Sequence, residues 1–113
     1  MLKLRVKAGV ALDGLDTSIL PGFLALCYFL ETVVGATEVT ITSGLDGQHK
    51  PGSLHYVGQA LDIRSKTYPK VGVSQVIQEF KKTYDTEYDL IWENPGQPNE
   101  HLHLEFDPGN RNH

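Results

Sequence analysis

Residues 43–64 read SGLDGQHKPGSLHYVGQALDIR, and the organisation of the chain turns on where this stretch changes character. Its first part carries Gly44, Gly47, Pro51, Gly52 and Gly58 with His49 and His55, the composition of a long ordered loop. Long loops in compact domains are commonly functional, because a rigid scaffold presents polar side chains from them. From residue 59 to 64 the pattern becomes period two. Leu61 and Ile63 fall on one face and Ala60 and Asp62 on the other, as in a strand.

Working outward, residues 38–42 alternate Val39 and Ile41 with threonines and predict a second strand. Leu2, Leu4 and Val6 alternate with Lys3, Arg5 and Lys7, the pattern of a short edge strand. Between these, Phe23, Leu26, Cys27, Leu30 and Val33 mark a helix. Asp16, Thr17 and Ser18 are its N-cap candidates, Pro21 suits the first turn, and Gly35 is its terminator. The breadth of its apolar face predicts burial between other elements. Downstream, Val73, Val76, Ile77, Phe80 and Tyr84 keep the spacing of a second amphipathic helix. Residues 89–93 and 101–106 predict two further strands, separated by a turn with Pro95, Gly96 and Pro98. The expected fold is α+β: one domain over residues 1–113, with a small, mostly antiparallel sheet and two main helices.

A chain of 113 residues allows one compact domain and little more. With 10 Lys+Arg against 14 Asp+Glu and no basic run, no nucleic acid and no anionic membrane is expected as partner. The single cysteine, Cys27, forms no internal disulfide and lies in an apolar segment, where a buried, inert thiol is expected. The apolar run at residues 19–30 is too short to span a bilayer. Asp13 and Asp16 precede it where a signal peptide would place Lys or Arg. The expectation is cytoplasmic synthesis without a signal peptide and no membrane insertion.

Chemistry concentrates in the histidines, at positions 49, 55, 101, 103 and 113. In a strand, residues i and i+2 share a face, so His101 and His103 point together while Leu102, Leu104 and Phe106 turn to the core. Two adjacent strands can therefore bring Asp62 and one histidine of this pair together, with His55 reaching in from the loop. Two imidazoles and one carboxylate suit zinc and leave a fourth position for water, the arrangement of catalytic rather than structural zinc. The terminal His113 is expected to be inert.

Ser53-Leu-His55-Tyr-Val-Gly58-Gln-Ala60-Leu-Asp62 resembles the Ser-x-His-x-x-Gly-x-Ala-x-Asp signature of zinc D-alanyl-D-alanine carboxypeptidases and L-alanyl-D-glutamate endopeptidases. This family of peptidoglycan peptidases includes vancomycin-resistance enzymes and phage endolysins, and shares its fold with the hedgehog signalling domain. The flanking Thr42-Ser43-Gly44 and Glu100-His-Leu-His103-Leu-Glu-Phe106 are similar to the family's outer pieces, so the likeness runs from about Thr37 to Pro108. The resemblance implies a hedgehog-like fold and one zinc per chain held by His55, Asp62 and His103. It further implies Glu100 as the general base for a zinc-activated water, whose pKa the metal lowers to about 7. His101 is expected to support a ligand or to donate to the oxyanion, and Ser53 and His49 to bind substrate.

Strand parity sets one condition: positions 100 and 103 face opposite sides of a regular strand, so Glu100 requires irregular backbone, which Pro98-Asn99 can supply. Glu93 is a lesser candidate base, and Glu105 reads as a solvent-facing strand carboxylate. Where many relatives carry an Arg after the Ser-Gly pair, this chain has Leu45 and Asp46, leaving Lys50 or Arg64 to engage a substrate carboxylate. The implied activity is cleavage of peptidoglycan stem peptides, at the cell wall after phage lysis or virion delivery. A non-catalytic, zinc-stabilised binding or virion-assembly domain is the alternative. A serine hydrolase using Ser43 or Ser53 is a third reading, weakened by the absence of a Gly-x-Ser-x-Gly elbow.

Overall fold

Two periodicities, 2 in the strands and 3.6 in the helices, resolve into seven main elements. They are β1 (Lys3–Val6), α1 (Leu20–Val34), β2 (Glu38–Ser43), β3 (Ala60–Arg64), α2 (Lys70–Tyr84), β4 (Tyr88–Glu93) and β5 (His101–Phe106). Short 3-10 turns at Thr17–Ile19 and Leu54–Val57 complete the chain. These come from a computed structural model, which describes residues 2–47, 49, 51–84 and 86–108. The fold is α+β, with a five-stranded mixed sheet in the order β1-β2-β3-β5-β4. β1 runs parallel to β2, and the other three pairings are antiparallel.

Local signals behave as their chemistry requires. The Asp16 carboxylate accepts the Ser18 N–H at 3.0 Å, capping the 3-10 turn that leads into α1. Gly35 ends α1 in the left-handed region at φ +68°, its N–H bonded to the Leu30 carbonyl. Both helices lie on one face of the sheet. Phe23, Leu26 and Leu30 of α1 and Val73, Val76 and Phe80 of α2 close a core with Val39, Ile41, Leu61, Ile63, Leu102 and Leu104.

Three expectations need correction. α1 is not buried between other elements: Leu20, Leu24 and Tyr28 are 40%, 65% and 61% exposed. The helix is the outer layer of a two-layer fold, so only one stripe of it meets the core. Cys27 is half-buried rather than fully buried, whereas Phe106 packs against the core as expected, half-buried at the end of its strand. The 3-10 turn also runs directly into α1, so Thr17–Val34 is long and apolar enough by length and composition to cross a membrane. In this fold, Ile19, Phe23, Leu26 and Leu30 of that segment face the core instead.

Candidate metal centre

The face of the sheet turned away from the helices carries the polar cluster. β3 and β5 pair with Asp62 directly opposite His103, so the period-two pattern that buries Leu61 and Leu104 turns this pair outward together. His55 arrives from the 3-10 turn at Leu54–Val57. The Ser53 hydroxyl caps that turn by accepting the His55 N–H at 3.2 Å. Gly58 closes it at φ +75°, where a Cβ would come 2.5 Å from the Gly14 carbonyl oxygen and 2.8 Å from the Asp16 nitrogen. Only glycine meets both conditions.

His55, Asp62 and His103 each offer one ligand atom, and these atoms lie within 4.8 Å of one another. His55 Nε2 is 3.2 Å from Asp62 Oδ1, and His103 Nδ1 is 2.8 Å from the same oxygen. Each ring is held from behind. His55 Nδ1 bonds the Gly44 carbonyl at 2.7 Å, leaving Nε2 for the centre. His103 Nε2 bonds Glu105 Oε1 at 2.7 Å, leaving Nδ1. Partners of this kind fix the tautomer and aim of a ligating imidazole. Burial by itself pushes His103 toward neutrality, but hydrogen bonds and charge from Asp62 and Glu105 carry its pKa up to about 10. Burial raises Asp62 in turn, and the two histidines outweigh it, holding the carboxyl well below the usual carboxylate range. Two imidazole nitrogens and a carboxylate oxygen, mostly buried and oriented, can hold a metal ion.

An open cleft of about 1000 Å³ lies over the cluster, lined also by His49, Ser53, Ile91, Glu93 and His101. His101 Nδ1 bonds the Asn99 carbonyl at 2.8 Å and turns Nε2 inward, 3.4 Å from Glu93 Oε1 and 3.7 Å from Asp62 Oδ2. Glu93 Oε1 is also 3.8 Å from His103 Nδ1. His49 stacks on His55 with centroids 4.0 Å apart and planes 7° from parallel. Its Nε2 is taken by the Asp46 carbonyl at 2.8 Å, so His49 buttresses the ligand ring from the loop. The Ser43 hydroxyl lies 3.4 Å from that same Nε2. Among the described residues no carboxylate orients His49, so no Ser-His-Asp relay forms there.

Glu100 is where sequence and structure part. It precedes β5 on the helix side of the sheet and does not line the cleft. Its carboxylate accepts from Ser65 Oγ at 2.7 Å, the Gly96 N–H at 2.9 Å, Trp92 Nε1 at 3.1 Å and Lys70 Nζ at 3.1 Å. Burial opposes ionisation, yet these donors hold its pKa at about 2. The backbone before it is irregular, with turns closed by Gln97 N–H to Asn94 O and Glu100 N–H to Gln97 O. That irregularity does not carry it across the sheet, and the three-residue offset from His103 prevails.

Glu105 is likewise not a free surface carboxylate: its side chain is 12% exposed and holds His103. It also groups with the buried Asp89 and Asp107. Arg64 lines a separate hollow of about 340 Å³ beside Tyr68, away from the cleft. Lys50 and His113 lie outside the described residues. The signal that would have ranked Glu93 above Glu100 is pairing. It stands directly opposite His101 across β4 and β5, and so shares its face. No family model, curated protein or solved structure matches the chain.

Proposed function

We propose that the protein is a zinc-dependent metallopeptidase that hydrolyses peptidoglycan stem peptides, of the D-Ala-D-Ala carboxypeptidase or L-Ala-D-Glu endopeptidase type. One observation carries the reading: His55, Asp62 and His103 converge at the floor of an open cleft, each imidazole aimed by a partner behind it. The donor set suits zinc, which when bound would supply Lewis-acid activation of water and of the substrate carbonyl. The substrate class rests on the likeness of residues 53–62 to the signature of that peptidase family, whose hedgehog-like fold is proposed with it.

The chain's own residues divide the remaining work. Glu93 takes the role of proton acceptor in place of Glu100, since its carboxylate faces the ligands and stays 43% exposed to an incoming peptide. The same carboxylate can return the proton to the leaving amine. His101 donates its Nδ1–H to the Asn99 carbonyl, so it is the doubly protonated ring that can donate Nε2–H to the carbonyl oxygen as negative charge develops there. Ile91, 47% exposed on the same face two residues before Glu93, offers an apolar contact to a small side chain such as alanine. The expected place of action is the cell wall, reached through phage lysis or on a virion.

Elemental analysis of untagged protein purified without chelator tests the metal, with one zinc per chain expected. Mass spectrometry of stem peptides incubated with the zinc-loaded protein then identifies the bond cleaved. Absence of metal after dialysis against zinc would sink the proposal, and a loaded protein that leaves every stem peptide intact would sink the catalytic half of it. A second reading, a non-catalytic zinc-stabilised binding or assembly domain, is favoured by one observation: the glutamate that the motif implies as base is bonded away from the cleft. In that case Glu93→Gln changes no measurable property of the loaded protein.

A further inference from the structure

The connection between β4 and β5, residues 94–100, leaves the sheet after Glu93 and re-enters it at His101, and these two residues are register partners. Both face the cleft. Each is preceded in sequence by a residue on the opposite, helix side: Trp92 before Glu93, and Glu100 before His101. Those two preceding residues are bonded to each other, Trp92 Nε1 donating to Glu100 Oε2 at 3.1 Å.

We propose that Glu100 is a positioning residue whose buried carboxylate locks the β4–β5 connection to the rest of the fold and thereby sets Glu93 and His101 on the other face. Its catalytic consequence rests on the peptidase reading above. The carboxylate gathers one donor from each part that must stay in register. Trp92 belongs to β4, the Gly96 N–H to the connection, Ser65 to the end of β3, and Lys70 to the first turn of α2. Ser65 is fully buried, so its bond is not exchanged with water. Bonds to an ionised acceptor are the strong ones, and removing the acceptor strands buried donors. Among the described residues, the connection's other hydrogen bonds are the two short turn bonds within it, a 3.5 Å contact from Lys66 to the Pro98 carbonyl, and the bond from His101 Nδ1 to the Asn99 carbonyl at its very end.

Trp92 is the single tryptophan of the chain, so its emission reports directly on the Glu100 carboxylate. The test uses the zinc-loaded full chain and three variants. Glu100→Gln replaces an acceptor by an amide whose NH2 faces donors. Lys70→Met and Ser65→Ala leave the carboxylate but remove one tether each. Glu100→Gln is expected to keep one zinc per chain, shift Trp92 emission, and move the ring ¹⁵N resonances of His101. It should lower kcat about tenfold to a hundredfold, the scale of a small misplacement, with KM within about twofold. Lys70→Met and Ser65→Ala should move the same signals in the same direction, less far.

If either tether variant raises kcat, the carboxylate has been freed to work in the cleft as a base, and the proposal fails. Shifted emission with wild-type His101 resonances and kcat would also overturn it, as would unchanged emission. Should Glu100→Gln not fold, Lys70→Met decides, because Lys70 is 61% exposed. A wild-type protein without turnover refutes the peptidase reading alone; emission and the His101 resonances still decide whether Glu100 sets the pair.

Discussion

Asp62 is the hinge of the site at the scale of single residues: one oxygen meets both His55 and His103, and the other faces His101. His55→Ala, Asp62→Ala and His103→Ala should each sharply reduce zinc binding, read by elemental analysis after dialysis; full occupancy in any one removes that residue from the ligand set. Glu105→Ala should weaken zinc affinity about 10- to 100-fold by releasing the far nitrogen of His103, as measured by competition with a chelating dye. Wild-type affinity would mean that the His103–Glu105 bond does not orient the ring. Glu93→Gln should keep the metal and lower kcat by about 10²- to 10⁴-fold. Turnover near wild type would show that the base lies elsewhere. Asp62 with His55 and one histidine of the His101/His103 pair was legible from side-chain chemistry and parity, and the choice of His103 came with the family resemblance. Which glutamate faces the cluster was not legible, because Glu93 and Glu100 flank the same turn and differ only in which side of the sheet they face.

Elements explain why His55, Asp62 and His103 can meet at all. The pairing of β3 with β5 places Asp62 against a histidine 41 positions away, and the tight 3-10 turn between Ser53 and Gly58 brings His55 over them. Gly58→Ala asks for a positive φ and room that is not there, so it should destabilise the fold by more than about 1 kcal/mol. Zinc affinity should fall with it, both read by urea unfolding with and without metal. An unchanged midpoint would mean that the turn relaxes freely. Strand and helix positions followed from periodicity, including β5 at its observed limits. The outward stripe of α1 did not. Leu20, Leu24 and Tyr28 satisfy a hydrophobic pattern as well as Leu26 does, and only the number of layers decides which are covered.

For the whole molecule, stability joins the two faces of the sheet. Glu100 titrates at about 2 in the folded chain against an ordinary 4.5, so its contribution is complete above the higher value and lost as pH falls toward the lower. Unfolding of metal-free protein should therefore show stability declining between about pH 5 and pH 2, with a shallower decline in Glu100→Gln. Parallel curves for the two proteins would mean that the carboxylate is not held in the folded state. By itself the sequence determined the α+β class, the extents of the main elements and that His55, Asp62 and one of His101 and His103 are able to hold a metal. Each of these is written in local periodicity or in side-chain chemistry. Only the tertiary structure decided that Glu93 rather than Glu100 faces the cleft, that Glu105 backs His103, and that Arg64 stands apart. Those outcomes depend on which strands pair and on which side the helices pack, and no short stretch of chain carries that information.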